Sequence, residues 1–143
     1  MTVTQSIISW LKTFKQEETW KMKDIDTDIQ PAKVKSYALV KEPIINKKTS
    51  ISGKITATEH YTLMARLDSQ TDSDRKANNT WGIDLEEWVE NKNRNKEWPI
   101  LENGQVRSIS VTTPFYLGEA GISESVYQLT ISITYVKEKE QRK

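Results

Sequence analysis

The stretch Ile51-Ser52-Gly53-Lys54-Ile55-Thr56-Ala57-Thr58-Glu59-His60-Tyr61-Thr62-Leu63-Met64-Ala65-Arg66-Leu67 decides the fold. Its odd positions hold Ile51, Gly53, Ile55, Ala57, Glu59, Tyr61, Leu63, Ala65 and Leu67, and its even positions are mostly threonine, lysine, histidine and arginine. Successive side chains of a strand point to opposite faces, so this alternation predicts a half-buried β-strand. Typical strands have about five or six residues. A run of 17 residues is therefore either one long bent strand, bulged near Gly53 or Glu59, or two strands in line.

Two further strands are predicted after it, over 106–115 and 126–136. In the second, Tyr127, Leu129, Ile131, Ile133 and Tyr135 alternate with Gln128, Thr130, Ser132 and Thr134. In the first, Arg107, Ile109, Val111 and Thr113 are expected to share a face. A turn at Asn103-Gly104 precedes the pair, and residues 117–121 form the loop between them. Upstream, residues 34–40 read as a short strand stopped by Pro43, and Asn46, Lys47 and Lys48 as a connection.

Two helices accompany the strands. Over 4–15, Ile7, Trp10, Leu11 and Phe14 recur at helical spacing, with Thr4 as the expected cap. A second helix ends near residue 92, with Trp81, Leu85, Trp88 and Val89 as its apolar stripe and Gly82 as its start or a kink. Residues 16–32 read as a polar loop. Asp24, Asp26 and Asp28 alternate there, but the calcium-loop glycine and glutamate positions hold Ile29 and Lys35, so the motif fails. These elements predict an α+β domain: a mostly antiparallel sheet with the N-terminal and mid-chain helices packed on one face. One domain covers 1–143: helix 1–15, loop 16–32, α+β core 33–136 and charged tail 137–143.

Composition narrows the function. The chain of 143 residues has no cysteine, which excludes disulfides, thiolate metal sites and thiol nucleophiles. Its 21 basic and 20 acidic residues do not supply the field that non-specific nucleic-acid binding needs, while self-association meets little repulsion. The five tryptophans and five tyrosines suit either interfaces or a core. No apolar run is long enough for a membrane helix, and the start does not resemble a signal peptide.

His60, the single histidine, falls on the polar face of the long strand, without the co-ligands a metal site requires. No P-loop, GxGxxG or nucleophile elbow occurs. The run Lys92, Arg94, Lys96 reads as a solvated helix end. These residues predict no enzyme, no cofactor and no metal.

The polar strand faces carry more information. Thr56, Thr58 and Thr62 match Ser108, Ser110 and Thr112 and also Thr130, Ser132 and Thr134. A sheet with one apolar face and one Thr/Ser face packs helices on one side, and its other face meets water or another protein. Closing copies into a ring would cover the sheet edges and line a channel with the polar faces.

The ordered set Leu85-Glu86-Glu87-Trp88-Val89-Glu90, Pro99-Ile100-Leu101 and Gly104 resembles a stretch of the phage minor capsid or tail-terminator proteins. The segments 108–111, Tyr116-Leu117, Val126-Tyr127-Gln128-Leu129 and Ile133-Thr134-Tyr135 are similar to that family's last two strands, and Ser36-Tyr37-Ala38-Leu39 with Glu42-Pro43 to its first. Asn46-Lys47-Lys48 stands where family members often carry a DG turn. The resemblance, over roughly 35–136, implies a structural virion protein of the tail neck, assembled in the host cytoplasm. It would form a ring, usually a homohexamer, at the head-proximal end of the tail tube, stopping polymerisation and offering the head-joining surface. Implied partners are other copies, the tail tube protein, head–tail connector proteins and, in a contractile tail, the sheath protein. DNA would pass the lumen without specific binding.

Candidate contacts are Asn46, Lys47 and Lys48 in the connection 46–50, Arg66, and Asp72, Asp74 and Arg75 in the loop 68–79. Tyr116 and Glu119 in the loop 116–123, Glu124 and the charged C terminus complete the set, because polar loops project from a sheet. A head–tail connector or tail-tube subunit is the nearest alternative. A monomeric nucleic-acid-binding module is the alternative of another class.

Overall fold

A computed structural model describes residues 2–14, 21–28 and 35–138. The alternating stretch forms one strand, β3 (Lys54–Asp68), in unbroken antiparallel register with β5 (Glu124–Glu138) along its whole length. Its buried side carries Ala57, Glu59, Tyr61, Leu63, Ala65 and Leu67. The expected bulge falls in its other neighbour. β2 (Ser36–Thr49) shifts register between Lys41 and Ile45, opposite Tyr61 and Glu59.

Pro43 lies inside that shift and does not stop β2. Proline removes an amide donor, and here no described strand flanks β2 on its outer side, so no ladder bond is lost. Residues 46–48 are accordingly the last part of β2 and not a connection. The turn comes later, at 50–53, where Gly53 takes a φ of 90° that suits glycine.

The segment read as a polar loop contributes a strand, β1 (Ile25–Thr27), parallel to β2 at Tyr37–Leu39. Buried Met22 and Ile25 hold it down, and two apolar residues are too few to show a period. The expectations for 15–20 and 29–34 lie outside the described residues. The five-stranded sheet has the order β1-β2-β3-β5-β4, where β4 is Gly104–Glu119.

β4 corrects the reading of its own faces. Register shifts surround Arg107 and separate Val111 from Thr113. Val106 and Ile109 therefore both reach the core, Arg107 is exposed, and Thr113 pairs with Thr130 on the opposite face. An extra residue in a strand breaks the two-residue period, which the sequence pattern alone does not reveal. β4 also continues through Leu117–Glu119, so the loop between the last strands shrinks to 120–123.

Both helices lie on the apolar face. α1 (Val3–Leu11) begins one turn-position earlier than expected, because Thr2 and not Thr4 caps it, in a reciprocal box with Gln5. It ends at Leu11, and the following turn still delivers Phe14 to the core. α2 (Asp72–Arg94) starts at a second box, Thr71 with Asp74. Gly82 is neither start nor kink but helix interior: the Phe115 ring of β4 sits against its backbone, where a β-carbon would collide.

The aromatic residues mainly build this core. Trp81 is buried, with Phe14, Tyr37 and Phe115 within 5.8 Å between ring centroids. Trp10 packs on Trp88 at 4.5 Å, and its indole donates to the Glu97 carbonyl at 2.9 Å, tying α1 to the end of α2. Each such buried ring contributes about 1.5–3 kcal/mol of apolar burial. Trp88 and Trp98 are partly buried against the same cluster.

Candidate interaction surfaces

With both helices on one side, the other face of the sheet is bare among the described residues. Four strands build it in cross-strand rows. Asn46, Thr58, Thr134 and Ser108 form one row, and Val40, Thr62, Thr130 and Thr113 another. His60, Ser132 and Ser110 lie between them. Thr58 and Thr134 hydroxyls meet at 2.9 Å, those of Thr62 and Thr130 at 3.1 Å, and Thr62 donates to Glu42 at 3.2 Å. Directly opposed threonines that hydrogen-bond each other stabilise the pairing and leave the surface flat. Among the described residues the centre of this face carries no cation, and the Glu42 carboxylate bonded to Thr62 reaches it from β2. The ion pair of this face, Arg66 with Glu124 at 3.1 Å, stands at one end.

The sheet edges are closed in their central parts. On β4, the Ile109 amide donates to Asn93 Oδ1 at 2.9 Å and the Phe115 amide to Glu86 Oε1 at 3.2 Å, so α2 side chains occupy edge positions. Pro114 brings no amide donor. On the opposite side β1 covers Tyr37–Leu39, and past it come Lys41, Pro43, Lys47 and Lys48, residues that discourage strand addition.

The two ends of the sheet remain. Lys54 pairs with Glu138 at one end of the β3–β5 ladder and Asp68 with Glu124 at the other. At about 3.4 Å per residue the ends lie roughly 45 Å apart. The first end holds the β2–β3 hairpin tip with fully exposed Ile51, the exposed Ile100, and Lys47, Lys48, Lys54 and Lys137. The second holds the β4–β5 tip with Ile122, also fully exposed, half-exposed Tyr116 and Leu117, and Asp68, Glu119 and Glu124.

The candidate contacts divide between these ends. Asn46, Lys47 and Lys48 are exposed near the first, as strand residues and not as a loop. Arg66, Tyr116, Glu119 and Glu124 gather at the second, with the Tyr116 phenol donating to Gln128 at 2.8 Å. Asp72, Asp74 and Arg75 are near the second end but serve the start of α2. Asp74 completes the cap, Asp72 pairs with Lys76 at 3.1 Å, and Arg75 donates to the Ser69 carbonyl at 2.7 Å. The sequence pattern placed Ile51 on the apolar face of the long strand, but it lies in the turn at 50–53 and is exposed; Ile122 was not singled out. Their signal was an isoleucine inside each short polar turn, visible only once the turns were located.

Glu59 is the one buried carboxylate among the described residues. It is 3% exposed and accepts from Tyr61 and Tyr135 hydroxyls, each at 2.6 Å, with the Lys41 ammonium 3.6 Å away. Burial pushes its pKa up, but the two phenols and Lys41 outweigh burial and hold it below the ordinary range. Burial, then the carboxylate they donate to, pushes both phenols up. An open cleft of about 530 Å³ lies above, lined by Thr4, Thr27, Lys47 and Lys137 among others. The arrangement satisfies a buried charge beneath the first turn of α1. His60 lies on the opposite face of the sheet from Glu59.

Among the described residues no group of three histidine, aspartate or glutamate side chains is placed to hold a metal ion. No described helix is long and apolar enough to cross a membrane. No protein-family model matches the chain, and no curated protein matches it.

Proposed function

We propose that the chain is a self-assembling structural subunit of a phage tail or phage-derived particle, a tail terminator whose copies form a ring on the head-proximal end of the tail tube. The observation that supports this reading is the bare Thr/Ser face, four strands wide and without a cation at its centre, on a sheet whose described helices all pack on the other side. Such a face suits a channel through which DNA passes. The cations of this face, Lys48, Lys54 and Arg66, stand toward the ends, so its centre releases few counterions from the phosphate backbone and does not hold it. Closed central edges favour this role too, because a ring must close and not grow as an endless sheet.

The sequence resemblance adds support of a second kind. Its best segments fall on α2, the loop after it, β4 and β5, which are neighbours in space. On this reading function resides in contacts with other copies, the tube protein, the head–tail connector and, in a contractile tail, the sheath. No catalytic step is assigned.

Native mass spectrometry with negative-stain imaging, run beside a tube-capping assay, tests it. Discrete rings that limit tube length are the expected result. A strict monomer at high concentration that leaves tube length unchanged would sink the reading. Long filaments of the protein alone would replace it with a tube subunit.

A further inference from the structure

The two hairpin tips of this sheet are counterparts. Each presents a fully exposed isoleucine, Ile51 in one and Ile122 in the other, beside serine residues. Around Ile51 stand Lys47, Lys48 and Lys54, all exposed, with Lys137 and exposed Ile100 at the same end. Around Ile122 stand Glu119, Glu124 and, across the β3–β5 ladder, Asp68. The tips point in opposite directions, because they cap opposite ends of that ladder.

We infer that copies of this chain associate head to tail, the acidic β4–β5 tip of one seating on the basic end of the next. The occupant of each end is thus a second copy of the chain, and the argument is complementarity on a single molecule. Isolated exposed isoleucines are ordinary, but here Lys47, Lys48, Lys54 and Lys137 outnumber Glu102 and Glu138 at one end, and Asp68, Glu119 and Glu124 outnumber Arg66 at the other, so the two ends differ in net sign. A like-with-like contact would bring lysines onto lysines or carboxylates onto carboxylates. The basic end also offers a receiving shape: a cleft of about 200 Å³ lined by Val3, Leu101, Gly104, Tyr135 and Lys137. It holds an apolar floor for Ile122 and an ammonium for the carboxylates beside it. Glu102 lines the same cleft beside Lys137, so the positive charge of this end stands mainly on Lys47, Lys48 and Lys54. Contacts of this kind are heterologous and close into rings when the rotation between copies permits.

The inference shares with the proposed function only the premise that copies meet. The test is a charge swap. One variant carries Lys47→Glu, Lys48→Glu and Lys54→Glu; the other carries Asp68→Lys and Glu119→Lys, which leaves the Arg66–Glu124 pair intact. Sedimentation equilibrium of each, with circular dichroism to verify folding, is compared with their equimolar mixture. Each variant alone is expected to self-associate at least about tenfold more weakly than the parent, and the mixture to regain association, since every interface in it is again opposite in sign. Ile122→Ser changes no charge and no buried contact, is expected to weaken association as well, and keeps the test open should a charge variant misfold. Association unchanged in the variants, or a folded mixture without recovery, overturns the inference. Rings of parental stability in all three variants would do so while leaving the ring reading standing. Tip-dependent chains that never cap a tube would refute the ring reading and keep the inference. A parent that stays monomeric at the highest attainable concentration overturns the inference.

Discussion

Replacing Gly82 by alanine should destabilise the protein, although alanine is the better helix former. In an unobstructed helix interior the change would stabilise by about 1 kcal/mol. At this position the new β-carbon would collide with three atoms of the Phe115 ring. The ring is not free to yield. It stacks on Tyr127 at 5.1 Å with an interplanar angle of 1° and meets Trp81 edge-on at 5.7 Å. Displacing it forfeits ring pairs worth about 0.5–1.5 kcal/mol each. Strain from overpacking adds about 1–3 kcal/mol. Set against the propensity gain, the net loss is about 1–5 kcal/mol. The melting midpoint of a domain this size should fall by about 4 °C for each of those. The decisive measurement is a double-mutant cycle by denaturant unfolding. In a Phe115→Ala background the obstacle is gone, and Gly82→Ala should now stabilise by up to about 1 kcal/mol. A sign reversal between backgrounds is the signature. A stabilising Gly82→Ala in the otherwise unchanged protein would refute the packing argument.

Three further outcomes follow from the same structure. Asn93→Ala removes the acceptor for both the Trp98 indole and the Ile109 amide, each at 2.9 Å, and should cost about 2–3 kcal/mol while accelerating amide exchange at Ile109. Asn93→Asp keeps the acceptor oxygen and should lose less in the same exchange experiment. Glu59 has a folded-state pKa below its ordinary 4.5, so its contribution is present above that value and drains away as pH falls through the folded pKa. Denaturation midpoints measured from about pH 7 down to about pH 3 should therefore fall less steeply at the acid end in Glu59→Gln, and an unchanged slope would speak against the assignment. Thr71→Ala breaks the cap of α2 and should lower stability by about 1 kcal/mol in urea titration, with Thr71→Ser restoring most of it.

What could be read in advance depended on whether a pattern is local. The alternation over 51–67 declared itself as β structure, though not whether as one strand or two, and β5 repeated it with Tyr127, Leu129, Ile131, Ile133 and Tyr135, all buried. The stripes Ile7-Trp10-Leu11-Phe14 and Trp81-Leu85-Trp88-Val89 did the same for the helices, with all of these side chains buried except Trp88, which is partly buried against the core. Features set by a partner were hidden. The course of β2 through Pro43 depends on its lying beyond the reach of β1, and the faces of β4 depend on bulges that appear only in its register with β5. Of the candidate contacts, Asn46, Lys47, Lys48, Tyr116 and Glu119 are exposed near the ends of the sheet, Arg66 and Glu124 are partly buried in a mutual ion pair, and Asp74 and Arg75 were spent on helix initiation. A polar residue before a helix reads the same in sequence whether it caps or projects. Glu59 sat visibly in the apolar frame of its strand. That it is tolerated there needs Tyr135, 76 residues away, which no local pattern could supply.

The disposition of these features constrains how copies can meet. A sheet offers a neighbour three kinds of surface: its edges, its faces and its ends. Here the apolar face is used by α1 and α2, and the β4 edge is engaged by Asn93 and Glu86 and interrupted at Pro114. The β2 edge is partly covered by β1 and then studded with lysines around a proline. Strand addition between copies would have to displace side chains that already hold the edge amides of Ile109 and Phe115, or align with a strand that lacks a donor. The bare Thr/Ser face is flat but already satisfies many of its hydroxyls across the ladder, so it gains little from a partner. The ends are the reverse: isoleucine side chains in nearly full contact with water, flanked by charged residues. Association through the ends would bury Ile51, Ile100 and Ile122 and leave the hydroxyl face open. That is the division of labour a ring with a passive lumen requires, in which the contact surfaces and the channel surface are different parts of one sheet.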